Sequence, residues 1–160
     1  MTSIPEARWL DQDENRTWHA VWKLMTWLPA RLDAQLRADA GLSLADYNAL
    51  AEISAAPDHT VRLSELAAST NMTLSHLSRV MSRLETLGWV VRYPDPTDGR
   101  STLAHLTDGG WAKVVATAPG HVEAVRRYLF DNLSAEESRA LGAAAAVVAS
   151  AAAPTGSARE

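Results

Sequence analysis

Residues 73–88 read TLSHLSRVMSRLETLG and residues 89–107 read WVVRYPDPTDGRSTLAHLT, and together they decide the fold. In the first part, apolar residues recur every three or four positions, which predicts an amphipathic helix over 73–87 that Gly88 ends. In the second part, two β-branched or aromatic runs flank a Pro/Asp/Gly loop, which predicts a β-hairpin with an arginine near its tip. The predicted buried stripe of the helix consists of Leu74, Leu77, Val80, Met81, Leu84 and Leu87.

The residues before this helix complete a helix-turn-helix pattern. Ser43 and Asp46 stand at capping-box spacing and open a second helix. Ser64 predicts the N-cap of a short third helix, and a tight connection over 70–72 leads into the helix described above. A short helix, a tight turn and a longer helix form a helix-turn-helix, to which the hairpin adds a wing. Residues 43–106 are therefore predicted to form a winged lobe.

Long helices are predicted on both sides of this lobe. Apolar residues at helical spacing predict a first helix over 11–40, which Gly41 ends and which Pro29 should kink or break. A fifth helix is predicted over 107–132, interrupted and bent at its internal Pro-Gly pair, and a sixth helix begins after Ser134. The predicted fold class is therefore mainly α with a small β-hairpin wing.

The composition fits one globular domain and excludes several kinds of protein. The 160 residues are 47% hydrophobic and 21% charged, so a single domain with a sizeable core is predicted over 1–160, with a disordered tail at 154–160. The absence of cysteine excludes disulfides, thiolate metal sites and sensing by thiol oxidation. No signal peptide and no apolar stretch of membrane-spanning length is found, so a cytoplasmic protein without a membrane partner is expected.

The net charge of −4 argues against a non-specific nucleic-acid binder. The charges are unevenly distributed, because residues 60–107 contain five arginines and four acids, which leaves a net −5 on the rest of the chain. A local cationic face on an acidic body is compatible with specific DNA binding, since the local field determines the attraction.

The polar side of the helix over 73–87 carries the first candidate DNA contacts. Small hydroxyl side chains let a backbone approach a surface closely, and arginines can bond to guanine or phosphate. Serine and threonine are mediocre helix residues, so their abundance here points to a use other than helix formation. The alternative is the solvated face of an ordinary amphipathic helix. The candidates are Thr73, Ser75, His76, Ser78, Arg79, Ser82 and Arg83.

The predicted wing supplies a second candidate contact. Gly99 is expected to allow a positive-φ turn from which Arg100 projects into a narrow, electronegative minor groove. Asp98 should not face phosphate, so it is predicted to hold Arg100 or another arginine through a charge-assisted hydrogen bond. The alternative is an exposed turn with an incidental ion pair.

These residues together resemble the MarR family of winged helix-turn-helix regulators. The resemblance implies a dimer in which the helices over 11–40 and 107–153 interlock between two subunits. It also implies a regulator that represses genes by binding palindromic double-stranded DNA through residues 73–87 and Arg100, and releases the DNA on binding a small phenolic or lipophilic anion. The motifs that carry the resemblance are LSELA at 63–67, LETLGWV at 84–90, DGRS at 98–101 and Leu106-Thr107.

The apolar residues of the flanking helices predict a homodimer independently, because a single small winged domain could not cover them. The tryptophans of the first helix add a second question, since aromatic side chains there could line an effector pocket in which His19 or Arg92 meets an anion. The favoured alternative is that these rings belong to the core and the dimer interface, as aromatic stripes at helical spacing usually do. The pocket candidates are Trp18, His19, Trp22, Tyr47 and Trp111.

Other classes of function fit the sequence less well. The five histidines are scattered, and the chain has no HExxH motif, Gly-rich phosphate loop or Gly-x-Ser-x-Gly motif, so no enzyme, catalytic residue, metal or cofactor is predicted. A winged-helix module that binds protein instead of DNA stays open because the net charge is negative. A DNA-binding regulator that needs no effector also stays open.

Overall fold

The computed structural model describes residues 7–153, which form several helices and one small sheet. The helices are α1 (Gln12–Ala40), α2 (Leu44–Ala55), α3 (Leu63–Ser69), α4 (Leu74–Thr86), α5 (Asp108–Tyr128) and α6 (Ala135–Ala152). The strands are β1 (Thr60–Arg62), β2 (Val90–Asp95) and β3 (Asp98–Leu106), and 3-10 turns lie at Pro57–His59 and Phe130–Asn132. The predicted fold class is confirmed, whereas the predicted tail at 154–160 lies outside the described residues.

Helix α1 is continuous from its capped start to its glycine end. The Asp11 carboxylate accepts from the backbone N–H of Glu14, and the Glu14 side chain accepts from the backbone of Asp11, which completes a capping box. Gly41 ends the helix in the left-handed region at φ 67°, as predicted. The helix does not break at Pro29, so the predicted break is wrong, because a helix of this length keeps its other hydrogen bonds when one donor is missing. The alternative, a kink at Pro29, stays a prediction.

Helix α3 begins two residues earlier than an N-cap at Ser64 would place it. The helix starts at Leu63, Arg62 occupies the N-cap position, and no side chain caps the helix, so the predicted Ser64 cap is wrong. The reason is strand β1, which was not predicted. Its pairing with β3 holds the backbone extended as far as Arg62, and the helix begins directly afterwards.

Helix α4 buries the middle of the predicted stripe. Leu77, Val80, Met81 and Leu84 are buried in the core. Leu74 and Leu87 are 65% and 54% exposed, so their assignment to the buried stripe is wrong. Both residues lie at the ends of the helix, where the neighbouring elements no longer cover it.

The wing is part of a three-stranded antiparallel sheet with the order β1-β3-β2. Asp95 pairs with Asp98, which leaves Pro96 and Thr97 as the turn between β2 and β3. The predicted positive-φ turn at Gly99 is wrong, because Gly99 lies within β3 and the proline-containing turn before it already reverses the chain.

The last two helices differ from the prediction only in detail. Helix α5 is continuous through Pro119, so the predicted interruption there is wrong. The helix ends at Tyr128, and a 3-10 turn follows in place of the predicted last turn. Helix α6 starts at the predicted capping box of Ser134 and Glu137, and none of its residues is buried. Within residues 7–153, no helix is long and apolar enough to cross a membrane.

Hydrogen bonds at the start of α5 tie that helix to the wing and to α1. The Thr107 hydroxyl donates to the Gly88 carbonyl at 2.7 Å and accepts from the Gly110 N–H at 3.1 Å, so Thr107 caps α5 as predicted. The Lys113 ammonium donates to the Ala40 carbonyl at 2.6 Å, at the end of α1. The core that supports these elements joins Leu36, Leu50, Ile53, Leu66, Leu77, Met81, Leu84 and Leu106.

Candidate nucleic-acid interface

The exposed side of α4 brings the helical candidates together. Because the opposite side packs on the core, every polar residue predicted for DNA contact faces solvent. The Thr73 side chain also caps the helix, since its hydroxyl accepts from the His76 N–H at 3.1 Å. The exposed residues on this side are Thr73, Ser75, His76, Ser78, Arg79, Ser82 and Arg83.

The two arginines of α4 have different surroundings. Arg83 donates through Nη2 to the Asp46 carboxylate at 2.5 Å, and the Asp46 side chain is only 11% exposed. Arg79 is exposed and has no carboxylate within ion-pair distance among residues 7–153. Its five N–H donors are thus available to an external acceptor.

Ser82 is partly engaged within the protein. Its hydroxyl donates to the Ser78 carbonyl at 3.0 Å and lies 3.4 Å from Nη2 of Arg92. Arg92 pairs with Glu85 at 2.5 Å, and this hydrogen bond is the main reason that the pKa of Glu85 lies below its ordinary value. Arg92, a possible anion ligand in the sequence, joins β2 to α4 through this pair.

Asp98 holds the wing arginine by its backbone. Its carboxylate accepts from the Arg100 N–H at 3.1 Å and from the Ser101 hydroxyl at 2.9 Å. The predicted bond to a guanidinium is wrong, because the carboxylate bonds to these two nearby donors and, within residues 7–153, forms no ion pair with an arginine. The Arg100 side chain is exposed and, within residues 7–153, forms no ion pair.

Asp95 organises the tip of the wing, a role that was not predicted from the sequence. One carboxylate oxygen accepts from the Thr97 N–H and hydroxyl at 2.8 and 2.7 Å, and the other accepts from Arg62 Nε at 3.0 Å. The Thr97 hydroxyl is the leading cause of a pKa for Asp95 below its ordinary value. The Asp-Pro-Thr sequence is a local signal for such a turn, because aspartate bonds readily to a backbone N–H two residues on.

Four of the five pocket candidates make ring contacts, and these contacts lie at three separate places in the single chain. Trp18 and Trp22 are about half exposed, and their ring centres lie 5.5 Å apart on α1. Tyr47 is buried and packs against His121 of α5 at 4.6 Å, whereas Trp111 stacks on His59 at 4.8 Å. His19 is exposed. Trp18 and Trp22 are the pair that the structure brings into mutual contact.

The contact between Tyr47 and His121 predicts a pH dependence of stability. His121 Nδ1 is buried without a hydrogen-bond partner, and burial lowers the pKa of His121 below 6.5. As the pH falls, His121 therefore takes up a proton in the unfolded chain before it does so in the folded chain. The stability that His121 contributes above its unfolded pKa is lost as the pH falls through its folded pKa. We expect the free energy of unfolding, measured in urea, to decrease between about pH 7.5 and pH 5.5.

Two leucine variants isolate this effect. His121→Leu removes the buried titrating group and should flatten the dependence, whereas His19→Leu, at an exposed position on α1, should leave it unchanged. An equally steep loss of stability in wild type and His121→Leu would contradict the assignment.

Helices α3 and α4, the turn between them and the wing formed by β2 and β3 define a winged helix-turn-helix protein. The chain belongs to the MarR family of transcriptional regulators, whose family model matches residues 40–101. This confirms the family resemblance that the sequence motifs suggested.

Known proteins share the fold over almost the whole chain. The chain is similar to Sco3205 of Streptomyces coelicolor, a MarR family transcriptional regulator solved in complex with DNA, with 39% identity, a TM-score of 0.89 and 95% of each chain covered. AbsC, a MarR family regulator of the same organism, gives 31% identity and a TM-score of 0.84 over 90% of this chain and 97% of AbsC. The multiple antibiotic resistance protein MarR of Escherichia coli is 44% identical over 48 residues, which span 30% of this chain and a third of that relative's length.

Proposed function

We propose that this protein is a cytoplasmic transcriptional repressor that binds palindromic double-stranded DNA as a homodimer. The observation that carries the proposal is the exposed side of α4 beside an exposed wing arginine, with Arg79 and Arg100 unpaired within residues 7–153. The serines and His76 would contact the major groove with Arg79, and Arg100 would enter the minor groove. The DNA complex of Sco3205 supports this reading.

The exposed apolar surface supports the homodimer. The sequence of α6 is rich in alanine and valine, yet no residue of this helix is buried. Trp22, Met25 and Trp27 of α1 are at least half exposed. Exposed apolar surface of this extent commonly marks an interface. A two-fold partner would cover it and place two copies of α4 about 10 base pairs apart, in successive major grooves.

The proposal extends to release of DNA by a small phenolic or lipophilic anion. Such an effector must prefer a conformation in which the spacing of the two α4 helices no longer matches the DNA. The contact of Tyr47 with His121 joins the winged lobe to α5, so a change at α5 can reach the lobe. Titration with salicylate, followed by tryptophan fluorescence, tests whether the anion binds. A DNA-binding assay at saturating salicylate then tests whether the bound anion releases DNA.

The experiment that tests DNA binding begins with selection of genomic fragments by the purified protein. We expect the wild type to retard a selected fragment, with an affinity that falls steeply as salt rises. Arg79→Ala should weaken binding by about 1–3 kcal/mol if Arg79 reads a base, and lower the salt slope by about 1 if it contacts a phosphate. A light-scattering mass of twice 17.3 kDa is expected for both proteins.

Arg8→Ala is the matched control, because it removes the same charge from an exposed arginine ahead of α1. The 29 residues of α1 separate this position from the lobe by roughly 40 Å of helix. Binding by the control should equal that of the wild type. A protein that selects no fragment at any salt concentration would instead support a winged-helix module that binds protein.

A further inference from the structure

A chain of polar contacts joins the end of α1 to the start of α2. The Asp33 carboxylate accepts from Arg37 Nε at 2.6 Å through one oxygen and from the Leu44 N–H at 2.8 Å through the other. The Arg37 hydrogen bond is the largest cause of a pKa for Asp33 below its ordinary value. Leu44 is the first residue of α2, and its N–H has no acceptor within the helix. A side chain of α1 therefore fixes the beginning of α2.

The same chain of contacts continues from α2 to α4. Asp46 accepts from the Ser43 N–H at 3.1 Å through Oδ2 and completes the capping box of α2. Its second oxygen, Oδ1, accepts from Arg83 Nη2 at 2.5 Å. The two oxygens of one nearly buried carboxylate thus hold the start of α2 and the last turn of α4 together.

A cleft shows why this bond matters to the position of α4. His76 and Arg83 of α4 face Asp33 and Arg37 of α1 across a cleft of about 450 Å³ that also exposes the start of α2. On this side, space instead of packed side chains separates the two helices. The core holds the buried side of α4. On the side of the cleft, the polar contacts along its wall add to that packing in resisting a movement of α4 toward or away from α1.

We infer that Asp46 is a positioning residue for DNA binding. Its bond to Arg83, called the latch below, holds α4 in place, and Arg83 does not itself contact DNA. Asp46 holds α4, the helix proposed to contact DNA, at the start of α2. Asp33 in turn connects the start of α2 to α1 by accepting from the Leu44 N–H. The inference rests on the proposed function. It separates Arg83 from Arg79, which stands four residues earlier on the same exposed side and has no such partner among residues 7–153.

The geometry leaves one competing role for Arg83. Its side chain is 51% exposed, so its remaining N–H groups face solvent and could meet a phosphate. In that case Asp46 would compete with the phosphate, and removal of its charge would strengthen binding. A latch requires the opposite, because a displaced α4 presents all of its contacts in the wrong place.

The test is a double-mutant cycle of Asp46→Asn and Arg83→Ala, measured as affinity for a fragment that the wild type selects, at several salt concentrations. Asparagine can still accept from the Ser43 N–H, so it removes the charge and preserves the cap. Each single variant should bind about tenfold more weakly, and the double variant no more weakly than either. The salt slope should stay at the wild-type value, because no phosphate contact is lost.

Ser43→Ala is the matched control, since it removes the other half of the capping box and leaves the bond between Asp46 and Arg83 in place. It should lower the melting temperature and leave the affinity of the folded protein unchanged. Tighter binding by Asp46→Asn, a salt slope lowered by about 0.9 in Arg83→Ala, or additive losses in the double variant would each overturn the inference.

A second measurement separates failure of the latch from failure of the proposed function. If the wild type selects no DNA, the proposed function fails, and the latch is then judged by thermal unfolding of the same four proteins. Non-additive shifts in melting temperature for Asp46→Asn and Arg83→Ala support the latch, and additive shifts overturn it.

Discussion

Gly110→Ala is expected to destabilise the protein by about 1–3 kcal/mol or more, because the first turn of α5 has no room for a methyl group. A Cβ at this position would overlap the Trp89 carbonyl oxygen and lie 2.6 Å from Cδ1 of Leu106. The carbonyl cannot easily withdraw, since it accepts from the Thr107 N–H at 3.0 Å. The whole start of α5 would have to move away from the wing. Urea unfolding followed by circular dichroism measures the loss.

Gly109→Ala provides the control at the adjacent position. A Cβ there would meet its nearest neighbour, the Thr107 hydroxyl oxygen, at 3.6 Å, which is an ordinary van der Waals contact. Alanine is also a better helix residue than glycine, so this variant should match the wild type or exceed its stability by up to about 1 kcal/mol. Equal losses in the two variants would show that close packing against Trp89 is not the cause.

The helices could be predicted because their signals are local. The capping pairs of Ser43 with Asp46 and of Ser134 with Glu137 lie three residues apart, and the structure forms both boxes. Helical spacing likewise located the buried centre of α4. Each of these signals fits within a few residues of sequence and depends on local helix geometry and on side chains of the same segment.

The features that the sequence missed depend on distant partners. Asp46 meets Arg83 across 37 residues, and Arg62 meets Asp95 across 33 residues, and no spacing rule connects such positions. Strand β1 is only three residues long, which is too short for an alternating pattern, and its pairing with β3 moved the start of α3. Residue types therefore indicated a cationic face, but only the fold shows that Arg83 is bonded internally and Arg79 is not.

Arg100→Ala is expected to weaken DNA binding by about 1–3 kcal/mol, or roughly 5- to 150-fold in affinity. The reason is the exposed position of Arg100 on β3, close to the turn at Pro96 and Thr97. Asp98 holds the backbone N–H of Arg100 at 3.1 Å, and Asp95 fixes the turn, so the arginine approaches DNA from an ordered strand. Less conformational entropy is then lost on binding than with a flexible loop.

Arg100→Lys distinguishes insertion into the minor groove from simple attraction to phosphate. Lysine keeps the charge but loses the planar guanidinium, which is less strongly hydrated and enters a narrow, electronegative groove more readily. If Arg100 enters the minor groove, the lysine variant should recover the salt slope but only part of the affinity, and it should lose preference for A·T-rich flanks in a fragment selection. If Arg100 contacts only phosphate, lysine should restore both affinity and preference. Wild-type affinity in Arg100→Ala itself would remove the wing from the interface and leave α4 alone to read the DNA.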